Sequence, residues 1–108
     1  MNLALNVFLG CALLSCFFTS CKKEAPAPLP VANFFVDNNG CTAPCKIYFH
    51  NKSINAVKWE WNFGNGLHSS HENDSITYAS SGNYDVWLFA WNTDNVKDSV
   101  RKQIHINE

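Results

Sequence analysis

The residues of this chain best equipped for chemistry are few and dispersed. His68, His71, Glu72 and Asp74 fall close together and are of the types that hold zinc or calcium. Two histidines three positions apart share one side only on a helix, however, and Leu67–Asn73 reads as a polar loop. The expectation is therefore a solvated loop, with no metal assigned. His50 and His105 stand apart from this group. No serine sits on a nucleophile-elbow pattern, and no glycine-rich loop leads into a helix. No catalytic residue and no cofactor is assigned, and the chain reads as non-enzymatic.

The cysteines carry more information. Residues 1–20 hold no charged side chain, and Leu3 to Phe18 is almost wholly apolar. That run is short for a bilayer-spanning helix and suits the apolar core of a signal peptide. Phe18-Thr19-Ser20-Cys21 resembles the lipobox of bacterial lipoproteins, and Leu13-Leu14-Ser15-Cys16 competes with it. Cys21 is preferred, because the apolar run ends just before it and Lys22-Lys23-Glu24 follows at once. An ordinary secretory peptide with incidental cysteines is the other reading. The resemblance implies acylation of Cys21 and attachment to the bacterial cell envelope, with lysine after the cysteine consistent with the outer membrane. Either the periplasmic or the surface side fits. Several acyl chains on one cysteine anchor stably, whereas one does not.

Cys11 and Cys16 leave with the signal peptide on this reading, so Cys41 and Cys45 remain as a pair. In an exported protein Cys41-Thr42-Ala43-Pro44-Cys45 is expected to close a small disulfide loop. Two cysteines do not make a zinc site, and thioredoxin-type chemistry needs two intervening residues. The formal net charge is −1, which argues against a nucleic-acid partner, since that needs a basic face.

The elements that must position these residues follow in close order. The division is 1–20 signal peptide, 21–30 anchor cysteine and Pro-rich linker, and 31–107 a single domain. Lys22 to Pro30 contains Ala-Pro-Ala-Pro-Leu-Pro, which favours polyproline II, and is expected to act as a stalk of roughly 25–30 Å if fully extended. Strands are predicted over 31–37, 46–51, 57–63, 75–78, 84–92 and 96–107, with asparagine-, glycine- and serine-rich turns between them. A seventh arises if the last segment or the 67–73 region splits. The pattern is all-β, an antiparallel β-sandwich of about seven strands.

Trp59-Glu60-Trp61-Asn62-Phe63-Gly64-Asn65-Gly66, with Gly82-Asn83-Tyr84-Asp85-Val86-Trp87-Leu88-Phe89-Ala90-Trp91-Asn92, resembles the signature of PKD domains. Its usual form is Trp-Asp-Phe-Gly-Asp-Gly followed by Gly-x-Tyr-x-Val-x-Leu-x-x-x-Asn. On that resemblance Trp61 and Phe63 are core anchors, Gly64 and Gly66 are turn glycines, and Tyr78, Gly82 and Tyr84 fill the later structural positions. Asn62 and Asn65 stand where the family has aspartates, which removes any carboxylate-based role for that turn. The resemblance spans about 31–107 and implies an immunoglobulin-like topology and a binding or spacer module.

One strand departs from the family. Period-two alternation puts Tyr84, Val86, Leu88 and Ala90 on the core side, and Trp87, Phe89 and Trp91 on the other, about 7 Å apart. Family members commonly carry small polar residues there. Three aromatics in a row suit a glycan or a protein partner, self-association included, unless neighbouring strands and stems such as that of Lys58 cover them. The expected function is non-catalytic: a lipid-anchored envelope protein binding carbohydrate or protein, or mediating adhesion. A structural accessory lipoprotein docked to a larger envelope complex is the alternative.

Overall fold

In the computed structural model, which describes residues 25–108, seven strands make two antiparallel sheets and no helix occurs among those residues. The predicted signal peptide and Cys21 lie outside the described residues. The strands are β1 (Phe34–Asp37), β2 (Cys45–Asn51), β3 (Lys58–Asn62), β4 (His68–Ser69), β5 (Asp74–Tyr78), β6 (Gly82–Trp91) and β7 (Lys97–Ile106). One sheet has the order β1-β2-β5 and the other β4-β3-β6-β7. The seventh strand is β4, from the 67–73 region, while the last segment runs unbroken as β7. Val31, predicted to open the first strand, makes only an isolated bridge to Ile54.

Alternation decides which residues enter the core. On β6, Val86, Leu88 and Ala90 are fully buried, and across the ladder Trp61 pairs with Leu88 and Val100 with the same residue. The facing sheet contributes Phe34, Ile47 and Phe49. Phe34 meets the Trp61 ring edge-on at 5.1 Å, and Phe49 lies 4.9 Å from Phe63, so the two layers meet through aromatic pairs. Buried polar atoms of these rings are satisfied. Trp61 Nε1–H donates to the His71 carbonyl at 2.9 Å, and Tyr78 Oη–H donates to that of Phe63 at 2.8 Å. Burial pushes the Tyr78 hydroxyl well above its ordinary pKa, with the charge of Tyr84 adding to the effect.

The turn after β3 depends on Gly64. Its φ is +80°, and a Cβ there would lie 2.6 Å from the Asp85 carbonyl oxygen. The asparagines that replace the family's aspartates still serve the turn. Asn62 Oδ1 accepts from the Gly64 amide and Asn65 Oδ1 from that of Leu67, each at 3.1 Å. An amide oxygen does this as well as a carboxylate, so the turn survives the loss of both charges.

Cys41 and Cys45 are joined, with Cα atoms 5.8 Å apart. Their loop also captures the end of the chain: Ala43 N–H donates to the Asn107 carbonyl at 2.8 Å, and Asn107 N–H to that of Cys41 at 2.9 Å. The disulfide thereby ties the start of β2 to the end of β7, across the two sheets.

The Pro-rich linker is not a free stalk over its whole length. Ala27 N–H donates to Asp94 Oδ2 at 2.8 Å, Asn92 Nδ2 to the Pro28 carbonyl at 2.9 Å, and Asn55 Nδ2 to that of Leu29 at 3.1 Å. Asn92 is the clamp. It is 4% exposed, and its Oδ1 also accepts from the amides of Asp94 and Val96, both at 2.9 Å. A proline-rich run cannot join a sheet centre, but its carbonyls remain good acceptors, and the loop asparagines use them.

Candidate functional site: the outer face of β6

Trp87, Phe89 and Trp91 project from the solvent side of the four-stranded sheet. The β6 register places Trp87 between Asn62 and Arg101, Phe89 between Glu60 and Ser99, and Trp91 between Lys58 and Lys97. The rings form a continuous row. Trp87 and Phe89 are nearly parallel, 7° apart with centroids at 5.9 Å, and Phe89 lies 6.4 Å from Trp91.

Cover is uneven along this row. The Lys58 ammonium lies 4.7 Å from the Trp91 ring centroid and that of Lys97 5.3 Å from Phe89. Both rings are half-buried. Trp87 is 37% exposed, and among the described residues no lysine ammonium sits over it. Its surroundings are polar and held in place: Arg101 Nη1 is 3.2 Å from Asp85 Oδ1, and Gln103 Nε2 donates to the same oxygen at 3.3 Å. The row is thus open at Trp87 and closed by lysine stems towards Trp91.

The other sequence-level candidates do not join it in a catalytic arrangement. His71 Nδ1 turns to Asp74 Oδ2 at 3.2 Å, whereas His68 sits on β4 opposite Asn62. No group of three metal-ligating side chains converges among the described residues. Burial alone would raise the Asp74 pKa. Hydrogen bonds from the Ser69 hydroxyl, the Ser75 amide and His71, with the imidazole's charge, outweigh that and hold it below its ordinary value. Trp61, Phe63 and Tyr78 are buried core, Tyr84 packs against it, and Gly64, Gly66 and Gly82 shape turns or a strand start. A shallow groove of about 480 Å³ runs beside the row, lined by Val57–Glu60 and His68–Ser70.

A second aromatic group escaped the sequence reading. Phe35 and Tyr48 are 44% and 45% exposed on the outer face of the three-stranded sheet. Phe35 stacks on His50 at 4.6 Å, and His50 Nε2 lies 2.7 Å from Asp37 Oδ2. Alternation within β1 and β2 would have put these residues outward, but only the cross-strand register brings them together.

The fold is that of an immunoglobulin-like β-sandwich built on the tryptophan, phenylalanine and turn-glycine framework described above. A sequence profile of the PKD domain matches residues 26–107. The chain belongs to the PKD domain family, whose members are generally non-catalytic. Among solved structures it is similar to the PKD1 domain of Vibrio anguillarum Epp, at 26% identity and a TM-score of 0.66, covering 76% of this chain and 98% of that one. It is equally similar to the PKD1 domain of the Vibrio cholerae metalloprotease PrtV, at 26% identity and a TM-score of 0.66, covering 75% and 100%. A structure of carbohydrate-binding modules from the β-sandwich superfamily superposes with a TM-score of 0.72 at 19% identity, a likeness of fold. It covers 78% of this chain, which spans 36% of that one. A search of curated proteins found no match.

Proposed function

We propose that this is a non-catalytic binding module of the bacterial cell envelope, held to the membrane by a lipid on Cys21, whose β6 row contacts a carbohydrate. The observation that carries the reading is the aromatic row itself, open at Trp87 and set among fixed polar groups. An aromatic ring offers a sugar's C–H face a flat apolar surface, while Arg101, Asn62 and Gln103 stand where hydroxyls need partners. The resemblance in fold to carbohydrate-binding modules supports the same class of ligand. Membership of the fold does not by itself supply a ligand, so the weight rests on the row. The lipobox-like Phe18-Thr19-Ser20-Cys21 supports the anchor.

The accessory-subunit reading draws on a different observation. Phe89 and Trp91 extend the aromatic row beyond Trp87, and aromatic side chains are enriched at protein interfaces. The test compares wild type with Trp87→Thr against a panel of envelope polysaccharides, following tryptophan emission. A carbohydrate site predicts saturable quenching that the substitution abolishes while the melting temperature holds. A wild type that ignores every glycan and co-purifies with one fixed protein would instead establish the accessory role.

A further inference from the structure

The end of the sandwich where the linker enters is apolar. Of the nine large hydrophobic side chains exposed among the described residues, five belong to it: Leu29, Val31, Ile54, Val57 and Val96. Backbone and side-chain hydrogen bonds gather these five from three separate segments. Val31 and Ile54 exchange bonds at 3.0 Å, Asn55 holds the Leu29 carbonyl, and the Val57 amide donates to Trp91 at 2.8 Å. Val96 accepts from the Asn92 amide at 3.0 Å, and Asn92 in turn clamps Pro28. Such a concentration on one end of a small domain marks a contact surface.

Charge at this end is balanced. Lys58 and Lys97 occupy the first rungs of the β3–β6–β7 ladder beside it. Asp94 and Asp98 each accept a backbone amide, from Ala27 and Ala32, both at 2.8 Å. Two lysines and two aspartates leave the rim without net charge, so what fits the bilayer boundary is the aliphatic surface itself, with lysine stems able to lie along it.

The length of chain outside the structure identifies the occupant. Only the five residues 22–26 separate Cys21 from Ala27, where the linker is already fixed. Six fully extended steps reach about 20 Å, less than the roughly 34 Å that the ten residues of β6 span. We infer that this end of the sandwich docks on the lipid bilayer and stands the β6 row upright, with Trp91 nearest the membrane and Trp87 farthest from it. The inference rests on the lipid anchor proposed above, and it supplies what the anchor alone does not, a fixed orientation.

The experiment uses the full chain, purified with its lipid and reconstituted into vesicles of brominated phosphatidylcholine with phosphatidylglycerol. Val57→Trp places a reporter on the docked end, and Leu67→Trp places one in the β3–β4 turn at the far end. Both sites are exposed, so neither change disturbs the core, and circular dichroism checks this. Docking predicts that Val57→Trp loses most of its added emission to brominated lipid while Leu67→Trp keeps its own. Protein that floats with the vesicles yet shows equal quenching at both sites, or none at either, overturns the docking and leaves the anchor intact. Wild type that does not float refutes the anchor and the docking with it.

Discussion

Both sheets carry aromatic side chains on their solvent sides, but they hold them in different ways. On β6 the rings belong to one strand and follow one another at every second residue, so they form an open-ended row. On β1 and β2 the rings belong to different strands. Phe35 lies flat on His50, His50 is held by Asp37, and the Lys52 ammonium sits 5.3 Å from the Phe35 centroid. The second group satisfies itself. Its exposed His50–Asp37 hydrogen bond contributes little to stability, and the row's polar neighbours are engaged in the same way, with Arg101 and Gln103 both on Asp85. What separates the faces is continuity: the β6 rings run unbroken along one strand, whereas Phe35 is closed off by His50 and Lys52.

The comparison presumes that both faces rest on one core, and the largest effect tests that. Leu88→Ala removes a fully buried side chain from the inner side of the row's own strand. A loss of about 3 kcal/mol is expected, read as a lowered denaturant midpoint with both faces unfolding in one transition. Separate transitions for the two sheets would show that the faces do not share a core. Cys41→Ala/Cys45→Ala comes next, with about 2 kcal/mol expected from a loop this small. Because that loop also binds Asn107, hydrogen exchange should rise at the end of β7 and stay unchanged around Trp87.

Trp87→Thr sharpens the comparison directly. Its cost in stability should fall below about 1 kcal/mol, as at a surface site, while glycan binding is lost. Phe35→Ser on the opposite face should leave binding at the wild-type level by the same quenching titration. Binding that falls with Phe35→Ser and not with Trp87→Thr would reverse the assignment of faces.

This contrast also explains what could be read from the chain. The row was legible because period two is local: Asp85 to Trp91 spells its own facing on a single strand. The core anchors Trp61 and Phe63 were legible through the family motif, and the structure buries both, along with Tyr78 at a later motif position. The Phe35–His50 stack was not, since it depends on a register between β1 and β2 that no short pattern encodes. Nor was the docking of the linker. Alternating prolines announce an extended conformation but not which loop asparagines will reach its carbonyls.

The smallest effect concerns the joint between the faces. Asp74 opens β5 in one sheet and takes hydrogen bonds from Ser69 on β4 and His71 after it, in the other. Its folded pKa lies below the ordinary 3.8, so the folded state binds this proton less readily than the unfolded chain does. The carboxylate therefore contributes stability that is fully present above about pH 4 and is lost as the pH falls through the depressed folded value. Asp74→Asn keeps an oxygen acceptor and removes the charge, and should flatten that part of the acid-unfolding curve by lowering the neutral midpoint slightly while leaving stability below the depressed folded value nearly unchanged. Because the side chain is partly open to water, the change is expected to be small. An acid profile that Asp74→Asn leaves as steep as in wild type would place the acid sensitivity elsewhere, and with it the joint between the two sheets.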